Sequence, residues 1–126
     1  MSVTNLNKET ARYDDGNDAI VIVNDLGDIP GGRSLDVSDV TAEVIRAGHV
    51  LIINDTKKEV KPLGVSGNAY ASKPGGYSYL GVLKHSVLKT DARAAILTMG
   101  QVNAAASPYP VTAEIKAGLP RIDFLY

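Results

Sequence analysis

Two uninterrupted aliphatic runs, AIVIV at 19–23 and VLII at 50–53, constrain this chain more than any other feature, and each is followed at once by Asn and Asp. Runs this short, rich in β-branched side chains and bounded by turn residues, fit strands covered on both faces; an amphipathic helix would interleave polar residues at its own period. Such strands need apolar material above and below them, so the chain is expected to fold as a sheet packed on two sides. Further strands are expected at 77–83 (YSYLGVL), at 94–102 (AAILTMGQV) and at 122–126, where Ile122, Phe124 and Tyr126 share one face by the period of two. Only 110–120 reads as helix: Pro110 precedes good helix formers, Gly118 supplies a left-handed closing position and Pro120 blocks continuation.

Turn chemistry divides the rest. Asn24, Asp25, Leu26 and Gly27 close the first expected strand, and Pro30, Gly31 and Gly32 force a turn before a half-buried strand at 35–38. Residues 40–46 fit a helix or a strand, with the β-branched content and Gly48 favouring extended chain. Residues 55–59 read as a tight connection between Ile53 and Val60, and Pro62 ends that strand or places it at a sheet edge. A long loop follows at 64–76, and 84–93 connects the next two strands. Residues 1–17 are polar and without sustained period; they read as a flexible or extended arm ahead of one β-rich domain at 18–126.

A chain of 126 residues suits a single domain, and 13 basic against 14 acidic residues leave a net charge of −1, with no pull toward nucleic acid or an anionic membrane. Residues 1–17 lack the apolar segment of a secretory leader, and no apolar run approaches the roughly 20 residues that span a bilayer. With no cysteine there is no disulfide framework, thiolate metal site or thiol nucleophile. His49 and His85, the two histidines, are expected to be structural; His85 cannot serve Ser86 as a base, because neighbouring strand residues face opposite ways. Asp14, Asp15 and Asp18 lack the spacing and closing Glu of a calcium loop, and Lys73 to Gly76 lacks the spacing of a phosphate-binding loop. No catalytic, cofactor-binding or metal-binding residue is therefore expected, and the chain does not read as an enzyme. The unusual surplus is tyrosine, six against one Phe. Tyr70, Tyr77 and Tyr79 flank the long loop, where they fit either a contact surface or the rim of a small core. In the arm, Val3, Leu6 and Tyr13 are the candidate anchors for a partner.

Several segments in order carry a family likeness: IPGG at 29–32 leading to Leu35, IRAGHVL at 45–51, KPL at 61–63, YLGVL at 79–83, AILTMGQVN at 95–103 and AGLPRIDFL at 117–125. Over residues 27–126 the chain resembles the head-fibre and head-decoration proteins of tailed bacteriophages, most of all those of crAss-like phages. The resemblance implies a mainly β fold, a small β-barrel or β-tulip-like domain with one short C-terminal helix. It implies a structural virion protein, made in the bacterial host cytoplasm, that sits on the outer capsid surface and stabilises the shell. Its partners would be the major capsid protein and itself, commonly as a homotrimer; no nucleic acid and no membrane would be involved. The alternative is a non-viral β-barrel binding or adaptor module. If the resemblance extends to assembly, light scattering at tens of micromolar will return about three times the mass of the chain; a clean monomer would count against a preformed trimer.

Overall fold

The eleven-residue strand at 93–103 organises the main sheet, because three other strands pair with it directly. The structure, a computed structural model, describes residues 18–126; residues 1–17, with Val3, Leu6 and Tyr13, lie outside the described residues. In chain order the elements are α1 (Asp18–Val21), β1 (Ile22–Ser34), β2 (Val44–Ile45), β3 (Val50–Asn54), β4 (Val60–Pro62), β5 (Val65–Ser66), β6 (Ala69–Tyr70), β7 (Tyr77–Leu83), β8 (Val87–Leu88), β9 (Arg93–Asn103), a 3-10 turn (Ala104–Ala106), α2 (Ala113–Gly118) and β10 (Ile122–Leu125). The main sheet runs β1-β9-β7-β3-β4, with β10 also paired to β9; β2 with β8 and β5 with β6 form two small ribbons. β9 meets β1 antiparallel along nearly its whole length. Its other edge is shared, antiparallel to β7 at Ile96 and Leu97 and parallel to β10 from Gly100 to Asn103.

The fold is mainly β with one short C-terminal helix, as expected, but the sheet is not closed into a barrel. Its edges come together at one place only: Leu35 bridges Val60, and the Asp36 N–H donates to the Val60 carbonyl at 2.8 Å. A barrel needs a ladder around its whole circumference, and the turn at Ser38 and Asp39 diverts the chain before one can form.

The sheet is packed on both faces, which is what the VLII run requires. Val50 and Ile52 point into one core with Val82, Leu97, Val102, Leu63, Ile115 and Ile122; Leu51 points into the other with Leu35, Ile45, Val60, Leu83, Ala94 and Ile96. α1, the 3-10 turn, α2 and β6 cover the first core, and the β2–β8 ribbon with the 35–40 segment covers the second. Leu97 and Val102 are five residues apart yet enter the same core, although strict alternation would send them to opposite faces. The register explains this: Gly27 opposes Met99 and Asp28 opposes Leu97, so Thr98 is an extra residue that resets the alternation. At Gly100 (φ +152°) a Cβ would run into the Asn24 carbonyl, so only glycine lets β1 approach there.

Several local expectations are borne out. The 55–59 connection is a hairpin turn in which the Asn54 side chain accepts from the N–H groups of Thr56 (2.9 Å) and Lys57 (2.8 Å). Pro62 ends β4 at the sheet edge, where its missing N–H costs no ladder bond. Residues 44–45 are extended, as favoured.

Others are corrected. The 19–23 run is not a strand: α1 occupies its first three residues, Val21 is fully buried and Ile20 is 53% exposed. One helical turn seats Val21 against Gly48, while the strand period would have turned it away. The turns expected at 24–27 and 30–32 are both inside β1, where pairing to β9 holds the chain extended and register irregularities absorb the misfit. The strand expected at 35–38 reduces to the single Leu35 bridge; Asp36 instead accepts from Ser38 through its N–H (3.1 Å) and hydroxyl (2.8 Å), which bends the chain. The loop at 64–76 contains the β5–β6 ribbon, and the 84–93 connection contains β8. Tyr126 does not join Ile122 and Phe124 in the core; it is 89% exposed.

Gly118 does not close α2 in a left-handed conformation either. It lies within the helix, and the cap is Leu119, whose N–H donates to the Ile115 and Lys116 carbonyls. Thr112 caps the other end, its hydroxyl accepting from the Ile115 N–H at 3.2 Å. Glycine is needed at 118 because the Tyr79 ring packs where a Cβ would stand. Helix propensity alone would make Gly118→Ala stabilising by about 1 kcal/mol. Overpacking reverses the sign, and urea denaturation of the variant is expected to show a loss of about 1–3 kcal/mol; unchanged stability would mean that Tyr79 swings away freely.

Candidate functional site

The connection from β2 to β3 is a tight bend that drives one ring into the interior. The Ala47 N–H donates to Ser86 Oγ (3.0 Å), the Gly48 N–H to the Leu83 carbonyl (2.7 Å) and the Leu83 N–H to the His49 carbonyl (3.0 Å), so the bend is fastened to the end of β7. His49 is thereby buried at 7% exposure. Its Nε2 lies 2.8 Å from the Leu63 carbonyl, and since a carbonyl only accepts, Nε2 carries the proton. Burial pushes the His49 pKa below its usual value, outweighing the contact with Leu63, so the ring is neutral and Nδ1 is a bare acceptor. Among the described residues Nδ1 has no partner.

Two tyrosines enclose this imidazole. Tyr70 packs edge-on at 5.2 Å between centroids and Tyr109 at 5.8 Å, and the two phenols meet each other at 5.2 Å. The Tyr70 hydroxyl accepts from the Val50 N–H at 3.1 Å, tying β6 to the start of β3, and burial raises its pKa. The Tyr109 hydroxyl has no partner among the described residues. Beside the cluster opens a cleft of about 510 Å³, walled by Val40, Ile45, Pro62, Leu63, Pro74 and Tyr109, floored in part by His49 and edged by Asp36, Asp39 and Lys61. Lys61 reaches Asp39 at 3.4 Å. Asp36, held by Ser38, titrates below the usual carboxylate range.

The tyrosine candidates separate. Tyr70 is in the core, which removes it from any exposed contact surface. Tyr77 and Tyr79 are half-buried and pack on the same core. Lys61 stands 4.6 Å over the Tyr77 ring; Lys73 stands 5.7 Å over Tyr79 and donates to the Tyr77 carbonyl at 2.7 Å. Tyr79 is also hydrogen-bonded to Glu114, and desolvation followed by that carboxylate raises its pKa. These rings close the margin of the core more than they offer free surface. Of the two histidines expected to be structural, His49 is buried and His85 is exposed. Tyr109, which lies outside every periodic segment, had no signal in the sequence.

Exposed apolar side chains recur where α1 enters β1, at Ile20 (53%), Val23 (46%) and Leu26 (62%), and at Met99 (38%) on the neighbouring strand opposite Gly27; Val65 (39%) and Tyr126 (89%) are exposed elsewhere in the chain. Beside them Lys84 spans β9 to pair with Asp25 and with Asp28 (2.6 Å), which holds the Asp28 carboxyl below its usual range. Among the described residues no three His, Asp or Glu side chains are grouped to hold a metal ion, and no helix is long and apolar enough to cross a membrane. No family model, curated protein or solved structure matches the chain.

The neutral His49 gives stability a defined pH window. Its pKa is depressed on folding, so the unfolded chain takes up the proton first: the contribution is complete above about 6.5 and is lost as pH falls from there toward the lowered folded value. Asp28 and Asp36 lie below 3.8 in the folded state and hold their contributions until more acid conditions. Urea unfolding between pH 7 and pH 5 is expected to lose stability with a slope of up to about 1.4 kcal/mol per pH unit. His49→Gln should flatten that slope; an unchanged slope in this variant would contradict a buried neutral ring.

Proposed function

We propose that this protein is a structural virion component, a decoration or head-fibre protein held on the outer surface of a tailed-phage capsid, with the major capsid protein and further copies of itself as partners. The observation that supports it best is the exposure of Ile20, Val23 and Leu26 along the α1–β1 segment and of Met99 on the strand paired with it. Uncovered apolar groups at one place on a small domain are what an attachment face presents before its partner covers it. Residues 1–17 directly precede this segment in the sequence, and their Val3, Leu6 and Tyr13 would extend the contact along the shell. The choice of a capsid protein as partner rests on the resemblance over residues 27–126. A second reading, a binding or adaptor module outside any virion, is favoured by the cleft beside His49.

Attachment to shells assembled without this protein tests the first reading. Leu26→Asp and deletion of residues 1–17 should each weaken binding at least tenfold, and Leu26→Asp should change the melting point little because Leu26 is already 62% exposed. Full binding by both variants would refute the attachment face, and failure of the intact chain to bind any tailed-phage shell would favour the adaptor.

A further inference from the structure

The cleft beside His49 has a polarity that neither core packing nor shell attachment accounts for. A buried imidazole ordinarily uses both nitrogens; here Nε2–H is committed to the Leu63 carbonyl, and Nδ1, in a residue that lines the cleft, is an acceptor without a partner among the described residues. The phenol of Tyr109, on the same wall, is also unpartnered among the described residues. At the mouth, Asp36 spends one carboxylate oxygen on Ser38 and keeps the other, and Asp39 is 78% exposed with only a long contact to Lys61. The cleft lining therefore combines acceptor-bearing side chains with the apolar Val40, Ile45, Pro62, Leu63 and Pro74.

We infer that this cleft binds a neutral polyhydroxylated ring of monosaccharide or disaccharide size. Its volume of about 510 Å³ falls within the roughly 300–1,000 Å³ of small-molecule sites. The match is chemical. Hydroxyl groups donate, which Nδ1 and the two carboxylates require, and they also accept, which suits the Tyr109 hydroxyl and the Lys61 ammonium. The C–H faces of such a ring lie against the aliphatic walls. An anion is disfavoured, since two carboxylates face one lysine at the rim and His49 brings no positive charge. A ring with a single donor, such as phenol or indole, would satisfy Nδ1 and leave the rim acceptors unused.

Saturation-transfer NMR on the full chain, with methyl glucoside, methyl galactoside and N-acetylglucosamine each at millimolar concentration, tests this. Transfer to at least one sugar is expected, accompanied by a shift of the His49 Nδ1 nitrogen resonance as it accepts a hydrogen bond. His49→Gln removes a buried ring and could unfold the chain, so the decisive variants are Tyr109→Phe and Asp39→Asn. Each takes away one surface-accessible polar group and should weaken binding about threefold or more at unchanged melting point. No transfer from any of the three sugars would overturn the inference. So would a static Nδ1 resonance, an Nδ1 found protonated, or displacement of the sugar by inorganic phosphate. None of these outcomes depends on whether the protein attaches to a capsid.

Discussion

The double occupancy of β9 is the constraint on which everything else depends. One edge of this strand is filled by β1, and the other is divided between β7 and β10, so its backbone groups are satisfied almost from end to end. Dividing an edge between an antiparallel and a parallel partner requires the chain to leave β9, make a covering excursion and return beside it. The 3-10 turn and α2 are that excursion, and the same segment brings Tyr109 and Ile115 over the first core. Cover, core and ring cluster follow from one pairing decision.

The interior strands were legible because their signal is local. Val50 to Ile53 and the 77–83 and 94–102 segments carry enough β-branched and aliphatic side chains to specify strands with both faces covered, and turn residues such as Asn54 act through hydrogen bonds to their own neighbours. The edge strand was not legible. β1 contains Asn24, Asp25 and Gly27, which favour turns in isolation; they are extended because thirteen residues are held against β9 through a ladder interrupted by irregularities. These same residues blunt the edge. Carboxylates and an uneven register hinder a second strand from adding there, which is how exposed edges are kept from pairing without limit.

Sites were harder to read than strands for a related reason. Tyr70 fitted a contact surface or a core rim equally well from its sequence neighbours, and the β5–β6 ribbon folds it inward to meet the Val50 N–H. The apolar neighbours of His49 agree with its burial, but which of its nitrogens is engaged depends on Leu63, fourteen residues away, and no spacing rule connects the two. The exposed Leu26 and Met99 belong to strands whose alternation is broken beside them, so a period of two could not tell which side chains face outward.

A closed barrel fixes its circumference through strand number and stagger. This sheet, whose edges touch only where Leu35 meets Val60, has no such fixed girth. Residues 36–43 leave that seam without joining the main ladder, and Asp36, Asp39, Val40, Thr41 and Ala42 among them form one side of the cleft. The fold therefore separates what must stay constant from what is free to diversify. Insertions or replacements in this stretch would reshape the mouth of the cleft while β9 and its partners keep their register, leaving recognition and architecture to drift at independent rates.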